Sequence, residues 1–149
     1  MRGTLVCGVI DREDGRRALE MAADLSARLG LRLVLVHVND GIGPIAEGDD
    51  DSESVSMKAE REGSARLLAR LATEQGVADR AECRQATGDA AAAIGQLAAE
   101  EAADLIVVGA RDRGPFRRRL ESQLAGQLTS ETPVPVLIAP PTVRRPRRW

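Results

Sequence analysis

Three apolar runs constrain this chain more than any other feature. Leu5-Val6-Cys7-Gly8-Val9-Ile10, Leu33-Val34-Leu35-Val36-His37-Val38 and Leu105-Ile106-Val107-Val108 are each of strand length and nearly continuous in apolar residues. A strand with one wet face alternates apolar and polar side chains. A strand apolar at every position needs cover on both faces, the condition of a parallel sheet between helical layers.

The segments between the runs supply those helices. Ala18, Ala22, Leu25 and Leu29 recur at helical spacing, with Asp14 placed to cap the start and Gly30 to stop the end. Strand, helix and strand then make one βαβ unit. After the second strand, residues 40–54 are rich in glycine and in oxygen-bearing side chains and contain Asp49-Asp50-Asp51, which predicts a solvated, mobile acidic loop rather than a metal site. A second helix follows, with Ala65, Leu68, Leu71 and Ala72 on one face and Gly76 at its end. Arg80 to Ala86 reads as a half-exposed third strand, and Thr87-Gly88-Asp89 turns the chain into a third helix carrying Ile94, Leu97 and Ala98. The fourth strand ends at Gly109. A basic loop from Arg111 to Arg119 leads to a last helix marked by Leu120, Leu124 and Leu128. Pro133-Val134-Pro135 introduces a closing strand, Val136 to Ala139, and flanking prolines suit an edge strand, where missing donors cost little. The alternation predicts an α/β fold, a three-layer doubly wound sandwich over residues 1–139. The Pro/Arg-rich residues 140–149 form a tail with no predicted structure.

Composition excludes several functions. The 149 residues are enough for one self-sufficient core. Phe116 and Trp149 are the only aromatics, which leaves no stacking platform for nucleic-acid bases. With 21 Lys+Arg against 23 Asp+Glu, the formal charge of −2 gives no field toward nucleic acid or an anionic membrane. Cys7 and Cys83 with one histidine, His37, make no metal site. The first apolar run is too short for a signal-peptide core or a membrane span, so a cytoplasmic location is expected. No nucleophile–base motif stands out, and no enzyme activity is expected. His37, inside an apolar strand, is expected to be a satisfied core histidine.

Ala103-Asp104-Leu105-Ile106-Val107-Val108-Gly109, followed by Thr132-Pro133-Val134-Pro135-Val136-Leu137-Ile138, resembles the C-terminal half of the universal stress protein family, which typically reads ADLIVVG and closes on a CPVLVV-like strand. Val9-Ile10-Asp11, Arg17-Ala18-Leu19, Leu35-Val36-His37-Val38 and Gly88-Asp89 are similar to the first strand and helix, the LVHV strand and the GDP turn of that family. The resemblance covers the chain apart from the acidic loop and the tail. It implies a five-stranded parallel sheet of order 3-2-1-4-5, often dimerised through the last strand, here Val136 to Ala139. A ligand crevice lies at the carboxyl ends of strands one and four in such a sheet. Cys7 and Cys83 would sit two strand spacings apart, beyond disulfide reach, as two buried free thiols.

The resemblance also implies a nucleotide site, in which Asp11 and the backbones of Val38 and Val108 would line the adenine. The ATP-binding members carry G-x-x-G-x9-G-[ST] after strand four, where glycine lets backbone amides approach phosphates. Counted without gaps, the first position is Gly109, the second Asp112, the third Ser122 and the last Gln123. Only the first is kept. A carboxylate at Asp112 would oppose a polyanion by roughly 1 to 4 kcal/mol per charge pair at about 4 Å, and Ser122 suits the cap of the last helix. Arg111 and its neighbours Arg113, Arg117, Arg118 and Arg119 could instead bind phosphate through their guanidinium groups. Two readings follow: a regulatory stress-response protein that binds ATP weakly or not at all, or an AMP- or ATP-binding sensor in which the arginine loop replaces the glycines.

Overall fold

The computed structural model describes residues 3–9, 12–39, 50–109, 124 and 126–140, with only the backbone course given for 12–14 and 50–57. Five strands, β1 (Thr4–Val9), β2 (Arg32–Asn39), β3 (Ala81–Thr87), β4 (Leu105–Gly109) and β5 (Val136–Ala139), form one sheet of order β3-β2-β1-β4-β5. Each neighbouring pair is parallel. Helices α1 (Arg12–Leu29), α2 (Asp50–Glu74) and α3 (Ala90–Glu100) connect them, and residues 126–131 form a further helix, α4, before β5.

The register explains why the apolar runs are continuous. Leu5, Cys7 and Val9 of β1 align with Leu33, Leu35 and His37 of β2, and their face packs on Ala18, Leu19 and Ala22 of α1 and Leu68, Leu71 and Ala72 of α2. The alternate residues Val6, Val34, Val36, Val38, Ile106 and Val108 pack on Ala91, Ile94 and Ala98 of α3 and Leu128 of α4. Burying each such side chain contributes about 1.5–3 kcal/mol. β1 is central and buried throughout. β3 lies on an edge and is only half covered, where Arg84 and Arg32 pair with Glu82 and Glu101. Such charges discourage a further strand from adding there.

Four sequence expectations are corrected. The loop expected over 40–54 gives way to helix at Asp50. Asp50, Asp51 and Glu53 fall in the first turn, where carboxylates are favoured by the helix dipole. Asp14 is inside α1 rather than at its cap, since the helix already begins at Arg12. Ala65 is exposed while Ser64 is buried, because the inward stripe of α2 runs Ser64, Leu68, Leu71 and Ala72. Leu29 is exposed at the end of α1, beside Gly30, whose φ of +65° terminates the helix as expected.

Candidate functional site

Winding reverses between β1 and β4. The chain passes from β1 through α1 to β2 and through α2 to β3, then crosses back by α3 to β4 on the other side of β1. Connections leaving the strand ends in opposite directions part there and open a crevice. The last pairs of β1 are Val9 with His37 of β2 and Gly8 with Val108 of β4. β2 runs on to Asn39, paired outward with Thr87, and β4 runs on to Gly109, paired outward with Ala139. Val38, Asn39 and Gly109 thus lie at the carboxyl ends of the two strands that flank β1. The two flanking strands are two strand spacings apart, each of about 4.8 Å.

Val38 and Val108 are buried among the α3-side core residues. Their side chains therefore belong to the core, and at the ends of β2 and β4 they leave backbone rather than side-chain surface. Gly109 ends β4 at the crevice. Asp11, Arg111, Asp112, Ser122 and Gln123 lie outside the described residues, as does the rest of the basic loop.

Two glycines that the sequence reading passed over hold the floor. A Cβ on Gly15 of α1 would fall 2.5 Å from Val9 Cγ1, so only glycine lets the helix lie directly on the end of β1. A Cβ on Gly8 would meet Ile94 Cδ1 at 2.8 Å and Val108 Cγ1 at 3.2 Å, so α3 approaches the other face equally closely. The rim between β2 and β3 is set by the Gly88-Asp89 turn. Gly88 takes φ of +103°, its N–H donates to Asn39 O at 2.9 Å, and Asp89 caps α3 by accepting from Ala92 N–H at 3.0 Å. Outside that rim, a hollow of about 300 Å³ is lined by Asn39, Glu60, Arg61, Gln85, Ala86 and Thr87.

His37 is half-buried, and its Nδ1 lies 2.8 Å from Ser64 Oγ, which also accepts from Asn39 Nδ2 at 2.9 Å. A serine and histidine at this distance match a nucleophile and its base. Ser64 is only 3% exposed, so no substrate reaches Oγ, and the trio instead pins α2 to the end of β2. His37 is thus the satisfied histidine that the sequence led us to expect, and Ser64 is its unforeseen partner.

The cysteines divide. Cys7 is buried, and burial pushes its thiol from an ordinary value of 9.0 up to about 12. Cys83 is exposed, which corrects the expectation of two buried thiols: it occupies the row of Cys7 and Leu35, but β3 is an edge strand that its helix covers incompletely. Partial burial still raises the Cys83 pKa, opposed by the Arg84 charge, so neither thiol is activated as a nucleophile. Among the described residues, no cluster of His, Cys, Asp and Glu could hold a metal ion, and no helix is long and apolar enough to cross a membrane.

The family model of the universal stress protein family matches residues 1–140. No curated protein matches the chain. Among solved structures, the universal stress protein UspA from Lactobacillus plantarum superposes with a TM-score of 0.73 at 19% identity, covering 93% of this chain and 99% of that one. A universal stress protein in complex with cAMP gives 0.63 at 21% identity, covering 92% and 95%. The universal stress protein from Archaeoglobus fulgidus in complex with dAMP gives 0.57 at 20% identity, covering 91% and 96%. At these identities the likeness speaks for the fold.

Proposed function

The chain belongs to the universal stress protein family, and we propose that it is a regulatory binding module whose crevice takes the adenine end of a nucleotide and holds a triphosphate poorly. The observation that carries this reading is the switch point of the sheet, where winding reverses between β1 and β4 and the carboxyl ends of β2 and β4 bring Val38, Asn39 and Gly109 to the same end of the sheet. Backbone groups recognise a heterocycle whatever side chains surround them, so this half of the site tolerates sequence change. Two solved relatives of the same fold are described as complexes with cAMP and dAMP, both adenine monophosphates.

The phosphate half depends on residue type. Glycines beyond β4 would allow amides to approach an anion, and this chain has Asp112 and Ser122 at those positions and Gln123 where a Ser or Thr would follow. AMP-like ligands therefore fit better than ATP. The alternative, an ATP sensor using Arg111 and the arginines after it, draws support from the five guanidinium groups between residues 111 and 119. We read no catalytic role, because Ser64, which pairs with the half-buried His37, is itself only 3% exposed.

We further propose a cytoplasmic homodimer formed through β5. This strand is an edge, and its Leu137 and Ile138 are 37% and 45% exposed. A symmetric partner strand would cover them and satisfy the open edge. Native mass spectrometry of protein purified without added nucleotide tests the ligand reading: the expected species carries no ATP, and a chain that co-purifies with ATP overturns it in favour of the arginine loop.

A further inference from the structure

The place where β5 ends carries an inference that does not depend on nucleotide binding. β5 stops at Ala139, and Pro140 follows at the surface. Beside them, a groove of about 430 Å³ runs along α1, lined by Arg17, Glu20, Met21, Asp24, Ala139 and Pro140. α1 covers the end of β5 only in part: Ala139 is buried with the α1-side core, while Leu137, on the same face by register, is partly exposed. The groove thus has an apolar seat made by Met21, Ala139 and Pro140 and an acidic wall made by Glu20 and Asp24. Glu20 has no ion-pair partner among the described residues, and Asp24 has only the exposed Arg28 one turn away at 3.0 Å.

The chain continues from this groove into Pro141-Thr142-Val143-Arg144-Arg145-Pro146-Arg147-Arg148-Trp149. We propose that the groove beside α1 is the docking site of the chain's own C-terminal tail, with Arg145 and Arg147 against Glu20 and Asp24 and Trp149 over the apolar seat or its margin. Reach permits it, since nine residues span at most about 30 Å when extended and the groove starts at the tail's root. Spacing favours it. Glu20 and Asp24 are four residues apart on a helix, about 6 Å along its axis. Arg145 and Arg147 flank Pro146, which holds the residue before it extended, so their Cα atoms are about 6–7 Å apart. Charge favours it as well: the last six residues carry four arginines. Arg17, at the end of the groove nearest the strand carboxyl ends, opposes the tail there and directs the arginines further along α1 toward Asp24. The prolines reduce the chain entropy lost on docking.

Trp149 is the sole tryptophan, so the full-length protein reports on its own tail. At low salt, Trp149 emission should be blue-shifted and its anisotropy raised relative to a synthetic peptide of residues 140–149. In about 1 M salt, where the Debye length is roughly 3 Å, both should move to the peptide's values. Glu20→Gln and Asp24→Asn should each lower the ratio of docked to free tail about two- to fivefold, the range for one exposed ion pair. Glu20→Arg with Asp24→Arg should release the tail, and adding Arg145→Glu with Arg147→Glu should restore docking. Both acids are surface residues, and far-UV circular dichroism checks that each variant is folded. Removing residues 144–149 should leave the fold intact. Wild-type emission and anisotropy equal to those of the peptide at low salt overturn the proposal, as does a charge swap that fails to restore docking. A signal that declines on dilution assigns the groove to a second copy's tail and also overturns the intramolecular site.

Discussion

Replacing Gly15 by alanine sets two well-measured effects against each other. Within a helix, alanine is favoured over glycine by about 0.8–1.0 kcal/mol, so propensity alone predicts that Gly15→Ala stabilises the protein. The packing predicts the opposite. The new Cβ would fall 2.5 Å from Val9 Cγ1, with Leu71 Cδ1 at 3.4 Å and Val9 Cβ at 3.5 Å. Carbon pairs rest at about 3.5–4.0 Å, so the first contact is short by about an ångström. Val9 cannot yield easily, because it is β-branched with a stiff χ1 and fully buried in the central strand. Overpacking of this kind costs about 1–3 kcal/mol. The clash offsets or outweighs the propensity gain, and Gly15→Ala should lower stability by up to about 2 kcal/mol net. Gly63 of α2 is the control: nothing lies within 4 Å of its would-be Cβ, and Gly63→Ala should stabilise by about 1 kcal/mol. Urea unfolding followed by circular dichroism reads both changes as opposite shifts of the midpoint at constant slope. Equal stabilisation by the two substitutions would refute the close seating of α1 on β1 that forms the crevice floor.

Cys7 predicts an alkaline instability. Its folded thiol is pushed to about 12 against an ordinary 9.0, so its contribution is fully present below about pH 9. As pH rises beyond that, the unfolded chain sheds the proton first, and stability should fall by up to about 1.4 kcal/mol per pH unit until the folded thiol titrates. The chain has no tyrosine and its only lysine is Lys58, so the partly buried Cys83, whose thiol is also raised, is the main other contributor, and Cys7→Ala should remove the larger part of the pH slope in urea titrations between these limits. An unchanged slope in the variant would show that the thiol is not the cause. In native buffer a thiol reagent should label Cys83 and leave Cys7 unmodified, as their exposure dictates. For the assembly, light scattering at micromolar concentration should give a dimer mass, and Leu137→Arg with Ile138→Glu should give a monomer. A monomeric wild type would leave the β5 edge without its proposed partner.

The layered fold was legible because burial on two faces leaves an unmistakable mark on composition. The runs at Leu5, Leu33 and Leu105 are apolar because each strand meets a helix on either side, and Gly30 with its φ of +65° ends α1 where a glycine was expected to. The sheet order came from resemblance, since periodicity alone does not say which strands are neighbours. What stayed hidden depends on long-range contact. Ser64 turns inward where Ala65 seemed the better core residue, because its hydroxyl meets His37 and Asn39, residues of β2. Cys83 was expected to be buried on the third strand and is exposed, because a strand's coverage depends on its place in the sheet. Gly15 carries no local signal: it sits in a helix and is required only by Val9 across the interface. Of the candidate site residues, Val38, Val108 and Gly109 lie toward the carboxyl ends of β2 and β4. Asp11, Arg111, Asp112, Ser122 and Gln123 rest on the sequence, where the spacing from Gly109 carries the argument.

The central claim, that adenine recognition is retained while triphosphate recognition is weakened, is tested most directly by titration calorimetry of two proteins with two nucleotides. Wild type should bind ATP no more tightly than AMP. The variant Asp112→Gly, Ser122→Gly, Gln123→Ser removes one repelling carboxylate, restores two flexible positions and supplies a hydroxyl. Its ATP affinity should rise at least about tenfold, equivalent to about 1.4 kcal/mol. AMP affinity should change less, because AMP presents fewer charges to that loop. Submicromolar binding of ATP by the wild type, unimproved in the variant, would contradict the account and assign the phosphates to the arginines after Gly109.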